Sequence, residues 1–415
     1  MRSTVFAPRK EVTQVIIPLI CSCGLMLASS GASAMQTANT EATLGVTLSA
    51  EQDDNIDLVN DADKEEDLTF HVIPAFDMTH FFNDHNLNLL LNGDYRQGAD
   101  MVDGEINLEA GVGMDLNFTG GLQIALSDTF EKEQFDQHLY TEIGVSDSQR
   151  NTYRLQSSYS FGERTSVEAA YSHLWEEYDD QPEKTVYDTD TVNGRLTIPV
   201  TRRWKSYLAA ELSSVDSDRA TSRNQEDVEG VLGFLWEGPN RFSCWLEGGL
   251  GEIDYDDAGE EDFSEAIGET GIEVKLTPWT SLQASVGTNS YGSLKYNGGF
   301  RHNFYDKLEL TLQASRNRLR SYTLQSITDT YDVTLFKLAL KSTLLERIEA
   351  GLTASYQILD QVDSLETLIG KATLDYPIQD WLKAGAHYQY ATRAADKAEE
   401  EYNDNRIGFF VTFSL

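Results

Sequence analysis

Charged residues in this chain recur at even intervals. Glu105, Glu109 and Asp115 do so, as do Glu269 and Glu273, Lys337 and Lys341, and Arg316, Arg318 and Arg320. On an extended chain, successive side chains alternate, so even spacing puts like charges on one face. A face of one sign sorts ions and orders water; it does not break bonds. Bond-making chemistry needs other patterns, and no HExxH, GxSxG or P-loop occurs. The seven His are scattered, and no Cys or His cluster has metal spacing. His173 and His302 fall on the apolar phase of their segments, and His387 falls on the polar phase without a Ser or Asp partner. Neither an enzyme nor a cofactor or metal centre is expected. The Asp-rich run 51–67 offers carboxylates to a divalent cation, but it lacks the Gly that an EF-hand loop requires.

The elements that carry these charges alternate with period two. In 104–118, "GEINLEAGVGMDLNF", Ile106, Leu108, Ala110, Val112, Met114, Leu116 and Phe118 take one side against Glu105, Asn107, Glu109, Asp115 and Asn117. The segments 308–314, 347–358 and 382–390 read the same way. About twenty such segments run from residue 42 to the end, each near ten to fourteen residues. Soluble strands average about five or six residues, whereas a tilted span of a bilayer takes about nine to eleven. The connections alternate between short turns, such as "FTGG" (118–121) and "EGPN" (237–240), and longer acidic stretches, such as "DYDDAGEEDF" (254–263). Phe118, Tyr159, Phe161, Trp204, Trp236, Trp279, Phe304 and Trp381 gather near the segment ends, as an interfacial girdle would. The expected fold is all-β: one transmembrane, antiparallel, up-and-down β-barrel of eighteen to twenty strands.

The opening residues read as an export signal. Arg2, Arg9 and Lys10 precede the apolar run "VIIPLICSCGLMLASS", and "ASA" (32–34) is a small-x-small cleavage site. Residues 1–34 are the expected signal peptide, 35–41 a short periplasmic tail, and 42–415 a single barrel domain. The expected location is the outer membrane of a Gram-negative bacterium. Cys244 is then the only cysteine beyond the signal, so no internal disulfide forms. A formal net charge of −36 over 415 residues excludes nucleic acid as a partner.

Closing the segments into a barrel gives the charges a common interior. Glu105, Glu109, Asp115, Glu168, Glu211, Glu229, Glu237, Glu247, Glu269 and Glu273 form an expected acidic wall, with Arg96, Arg154, Arg195, Lys205 and Lys275 in the minority. Lys295, Arg301, Lys337, Lys341, Arg347, Lys371, Lys383, Arg393 and Arg406 form an expected basic wall, against Glu309, Glu349 and Asp375. Opposed walls would set a transverse field and favour polar or charged solutes. The same charges also admit a simpler reading, as solvated groups paired with cross-strand neighbours. If the alternation of 308–314 continues, Arg316, Arg318 and Arg320 point outward, toward the phosphates of lipopolysaccharide or other outer-membrane lipid. A bulge at this loop base would instead shift their register.

The chain finishes on "NRIGFFVTFSL". Phe409, Val411, Phe413 and Leu415 resemble the C-terminal signal read by barrel insertion machinery, with Leu in the usual place of the final aromatic. Phe410 is an aromatic on the wet face, a possible stacking surface for a sugar.

At "EQDDNIDL" (51–58), "LTFHVIPAFDM" (68–78), "ERTSVEAAYSHLWEEYDD" (163–180) and "RHNFYDKLELTLQAS" (301–315), the chain resembles a β-barrel porin family of Gram-negative outer membranes. That resemblance implies an association with exopolysaccharide production and export systems, hence polysaccharide or a periplasmic export component as a partner. The expected function is a porin-like channel with a polar, charge-segregated lumen, as a conduit for exopolysaccharide or its fragments. The alternatives are a general diffusion porin and a plugged structural barrel acting through its acidic loops.

Overall fold

A computed structural model describes residues 39–55, 66–99, 105–134, 147–162, 165–179, 185–217, 224–255, 263–289, 292–304, 307–320, 330–344, 347–360, 364–395 and 401–414. The expected export signal and Leu415 lie outside these residues. The described chain forms twenty strands. They are β1 (Thr40–Asp53), β2 (Asp67–Phe82), β3 (His85–Gly98), β4 (Glu105–Asn117), β5 (Leu122–Gln134), β6 (Asp147–Phe161) and β7 (Thr165–Asp179). Then come β8 (Thr185–Pro199), β9 (Trp204–Ser217), β10 (Gln225–Glu237), β11 (Phe242–Tyr255), β12 (Phe263–Thr277), β13 (Thr280–Thr288) and β14 (Leu294–Phe304). The last six are β15 (Leu308–Arg320), β16 (Thr330–Leu344), β17 (Ile348–Asp360), β18 (Ser364–Gln379), β19 (Leu382–Ala395) and β20 (Tyr402–Ser414).

Each strand pairs antiparallel with the next, and β1 pairs with β20 from Gly45↔Ser414 to Asp53↔Arg406. The ring is closed, so no strand edge is left open. The first strand begins at Thr40, two residues before the expected barrel start. Tight turns lie at one end, where Asn83 and Gly121 adopt positive φ. By the rule that short turns are periplasmic, this end faces the periplasm. Its aromatics touch in pairs: Trp204 with Trp236, Trp236 with Phe242, Tyr159 with Phe161, and Trp381 with Phe413.

The two faces differ as the alternation requires. Leu208, Leu212, Leu246 and Leu250 point out and are more than half exposed. In water such a band would be costly; in lipid it is the favourable surface. Several inward glycines are covered by a neighbouring ring. A Cβ on Gly233 would meet the Tyr207 ring at 2.1 Å, one on Gly271 the Trp245 ring at 2.2 Å, and one on Gly385 Phe410 at 2.4 Å. Phe410 therefore fills the space above Gly385 and is not a free stacking surface.

Most buried residues lie at the extracellular ends of the strands, on the inward phase. Asp53, Asp67, Glu176, Tyr187, Val215, Gln225, Ile253, Leu359, Leu365, Thr367, Ala391, Arg393, Tyr402 and Asp404 are all buried there. Tyr207, folded over Gly233 near the periplasmic end of β9, is buried as well. Among the inward side chains of β1, Glu41 and Thr43 are exposed, Thr47, Ser49 and Glu51 half-buried, and Asp53 buried, while Gly45 is already buried low on the strand. The interior is packed most continuously at its extracellular rim, and below it exposed charges alternate with rings folded over glycines.

Candidate functional site: the lumen walls

The acidic wall is built on β7 to β12. Glu211 and Glu229 are direct register partners across β9 and β10, and Glu247 and Glu269 across β11 and β12. Glu109 and Glu131 form a third such pair across β4 and β5. Like charges directly opposite are unfavourable. Two of the pairs have compensation. Lys295 Nζ lies 3.0 Å from Glu269, and the Tyr207 hydroxyl donates to Glu247 at 2.6 Å. Arg150 lies 3.7 Å from Glu131, and the Asn92 amide donates to Glu109 at 2.8 Å. Glu211 and Glu229 have no ion-pair partner among the described residues. Neither do Asp115, Glu168 and Glu273. Glu105 takes the inward register position opposite Arg96. Glu168 stands opposite Arg195, but the Arg195 guanidinium lies 3.8 Å above the Tyr207 ring. A recess of about 330 Å³ is lined by Glu168, Arg195, Glu211, Glu229, Glu247 and Lys295.

The basic wall divides into three groups. Lys337, Lys341 and Lys371 are exposed on the inward phase of β16 and β18, with no ion pair among the described residues. Arg301 pairs with Glu309 at 2.8 Å, and Lys383 with Asp375 at 2.7 Å, so their charges are locally balanced. Arg393 and Arg406 belong to the packed rim. Arg393 donates to Thr367 and lies over the Tyr402 ring, and Arg406 bridges Asp53 and Asp404 at 3.0 and 2.9 Å. Arg347 is a correction to the expected wall: it lies in the tight turn before β17, where its backbone N–H donates to Leu344 at 3.2 Å. The alternation reaches it without a break in the sequence, but the strand does not. A second recess of about 570 Å³, near the periplasmic end, is lined by Lys307, Glu309, Lys341, Glu349 and Asp375.

The extracellular rim at the closing seam gathers residues far apart in sequence. Carboxylate oxygens of Asp53, Asp54 and Asp404 lie within 4.8 Å of one another. Asp53 and Asp404 share Arg406, while Asp54 accepts from the Asn405 backbone and amide at 2.6 and 2.8 Å. The outward run of β1 turns polar after Ala50, at Gln52, so this cluster lies past the apolar band. Burial, followed by the neighbouring Asp404, pushes the Asp53 carboxyl up to about 7 against the pull of Arg406. One turn of the ladder lower, His387 Nε2 lies 2.6 Å from Glu51. The two meet across Gly408, the register partner of both, whose missing side chain leaves the room. Only alternation marks Glu51 and His387 in the sequence; their meeting depends on barrel closure.

Arg316, Arg318 and Arg320 take outward register positions on β15. Arg316 pairs with Asp332 at 2.8 Å on the same outer face. On β20, Phe409, Val411 and Phe413 face outward beside Ala50, Leu48 and Val46.

A closed, twenty-stranded antiparallel barrel with an apolar exterior and a wet interior has the fold of a Gram-negative outer-membrane β-barrel. No family model matches the chain, and no curated protein matches its sequence. Solved structures of that fold do match. The siderophore receptor PirA from Pseudomonas aeruginosa is similar at 12% identity and a TM-score of 0.50, over 90% of this chain and 80% of that one. The FrpB iron transporter from Neisseria meningitidis is similar at 8% identity and a TM-score of 0.52, over 92% and 82%. The copper transporter OprC is similar at 11% identity and a TM-score of 0.53, over 92% and 81%. Likeness at such identities is likeness of fold. It lends no weight to the exopolysaccharide-associated porin family.

Proposed function

We propose that this chain is a Gram-negative outer-membrane channel for small polar or charged solutes, with a charge-segregated lumen. One observation carries the proposal. Glu211 and Glu229 on one arc, and Lys337, Lys341 and Lys371 on another, face the interior without ion-pair partners among the described residues. Charges held unpaired in a wet lumen act on whatever crosses it. The test is reconstitution of the full chain in a planar bilayer. A stable conductance with salt-dependent ion selectivity is expected, and a silent bilayer would overturn the channel.

The packed rim favours a second reading, a barrel closed at its extracellular face and working as a receptor or surface structure. The structural neighbours named above are receptors and metal transporters. The silent bilayer would support this reading. A polysaccharide cargo with a periplasmic export partner rests on the sequence resemblance alone. The wet-face aromatics Tyr207, Trp245 and Phe410 are occupied over glycines, which leaves a sugar chain fewer rings to stack on.

In this proposal residues 1–34 direct export. Phe409, Val411, Phe413 and Leu415 are read by the insertion machinery, and Arg316, Arg318 and Arg320 meet lipopolysaccharide phosphates.

A further inference from the structure

The outer face of a barrel is apolar from one interface to the other. On β9 and β10 it follows that rule as far as Leu212 and Val228, above which Ser214 stands beside Glu226. On β5 to β8 it does not. Asp128, Tyr153, His173 and Asp190 are successive register partners across these four strands, all on the outward phase. His173 stands eight residues above Thr165, the periplasmic start of β7. With a rise of about 3.3 Å per residue and a tilt near 40°, that is about 20 Å above the periplasmic turns, the height at which the outward apolar run of β9 ends at Leu212 and Arg316 stands on β15.

Part of this cluster satisfies itself. His173 Nδ1 lies 3.0 Å from Asp190, Nε2 lies 3.7 Å from Asp188, and the Tyr171 hydroxyl donates to Asp190 at 2.6 Å. Asp128 is different. It is exposed and has no hydrogen bond or ion pair among the described residues. It lines an outward cleft of about 300 Å³ with Phe130, Asn151, Tyr153, His173 and Trp175. Three aromatic rings and a carboxylate make up most of the wall, and no Lys or Arg is part of it. The next outward cation is Lys132, four residues along β5.

We propose that this cleft binds an ammonium group. Aromatic rings attract a cation through their quadrupole, most strongly where water is scarce. Asp128 supplies the counter-charge, and Asp188 and Asp190 deepen the negative potential from β8. The same three carboxylates repel phosphate. A neutral sugar ring stacks on the aromatics but gains nothing from that potential. The volume suits a trimethylammonium or a primary ammonium with its adjoining carbons. The group can come from an amine-bearing lipid headgroup beside the barrel or from a soluble amine, and the chemistry is the same for both.

The test uses the full chain in a maltoside detergent, titrated with choline and followed by ligand-observed NMR. Saturable binding in the millimolar range is expected. Asp128→Asn and Trp175→Leu should each weaken it at least tenfold while leaving the folded-barrel gel shift intact. Asp128→Asn removes an exposed carboxylate that no described residue pairs, so it should fold at least as well as the native chain. Glucose and inorganic phosphate should not compete. In nanodiscs, enrichment of phosphatidylethanolamine over phosphatidylglycerol around the native chain, lost in Asp128→Asn, would assign a lipid headgroup. Choline binding without that enrichment would assign a soluble amine. Absence of choline binding, binding that survives both substitutions, or displacement by glucose would overturn the proposal.

Discussion

Glu211→Gln with Glu229→Gln is the sharpest test of the lumen. The two carboxylates face each other directly across β9 and β10, and no cation among the described residues relieves them. Removing a like-charge pair of this kind should stabilise the barrel by roughly 0.2–1 kcal/mol. The effect on conduction has the opposite sense. A unit charge about 10 Å from a permeating ion contributes about 0.4 kcal/mol in water, and screening at 0.1 M salt cuts this to about 0.15 kcal/mol. Two charges then contribute about 0.3 kcal/mol, a factor of about 1.7 for cations and the inverse for anions. The cation-to-anion permeability ratio should therefore fall about threefold in the double variant. Reversal potentials across a planar bilayer under a salt gradient read this ratio. At 1 M salt, where the screening length is about 3 Å, the difference should vanish. An unchanged reversal potential at low salt, or a change that persists at 1 M, would refute the electrostatic reasoning.

Neutralising Lys337, Lys341 and Lys371 to Gln should shift the reversal potential toward cations. The same change at Arg301 and Lys383 should shift it less, because Glu309 and Asp375 already balance them. Gly249→Ala should abolish the folded-barrel gel shift, since its Cβ would lie 1.8 Å from the Gly230 carbonyl oxygen, whereas Gly230→Ala has open space and should be silent. For Asp53, the folded rim keeps a proton that the unfolded chain releases near its ordinary value of 3.8, because its folded value is about 7. Stability should therefore fall as pH rises between those values, by at most about 1.4 kcal/mol per pH unit, and level off above. Asp53→Asn should flatten guanidinium unfolding midpoints measured across that window; an equally steep profile would show that Asp53 does not carry the effect.

The strands were legible because a two-sided wall imposes period two on every segment. Residues 225–237 alternate and form β10 over that span. Faces follow from the same period, so which charges share the inward register was legible too. Pairing was not. Arg195 has Glu168 opposite it yet lies on Tyr207, a neighbour on the next strand, because long side chains reach diagonally as well as straight across. Arg347 was misplaced because a tight turn can keep the alternating pattern going past the end of the strand. The rim was invisible for a different reason. Asp53 meets Arg406, and Glu51 meets His387, only when the first strand closes on the last.

Inward charges serve two opposite ends at two levels of this barrel, and burial separates them. At mid-height Glu168, Lys337 and Lys371 are exposed, so water screens them and leaving them unpaired costs little. At the rim Asp404 has no exposed surface and Asp53 is 5% exposed, and there an unpaired charge would be expensive. Arg406 is the answer to that cost, and it ties β1 to β20 at the one ladder that closes the ring. Pulling Arg406 away would remove the cation that Asp53 and Asp404 share across that ladder. The seam side of the rim is thus held by ion pairs. Across the ring, Val215 and Ile253 are buried apolar residues whose burial breaks no ion pair when it is undone. Above Glu211 and Glu229 the described rim is therefore held by apolar packing at these two positions.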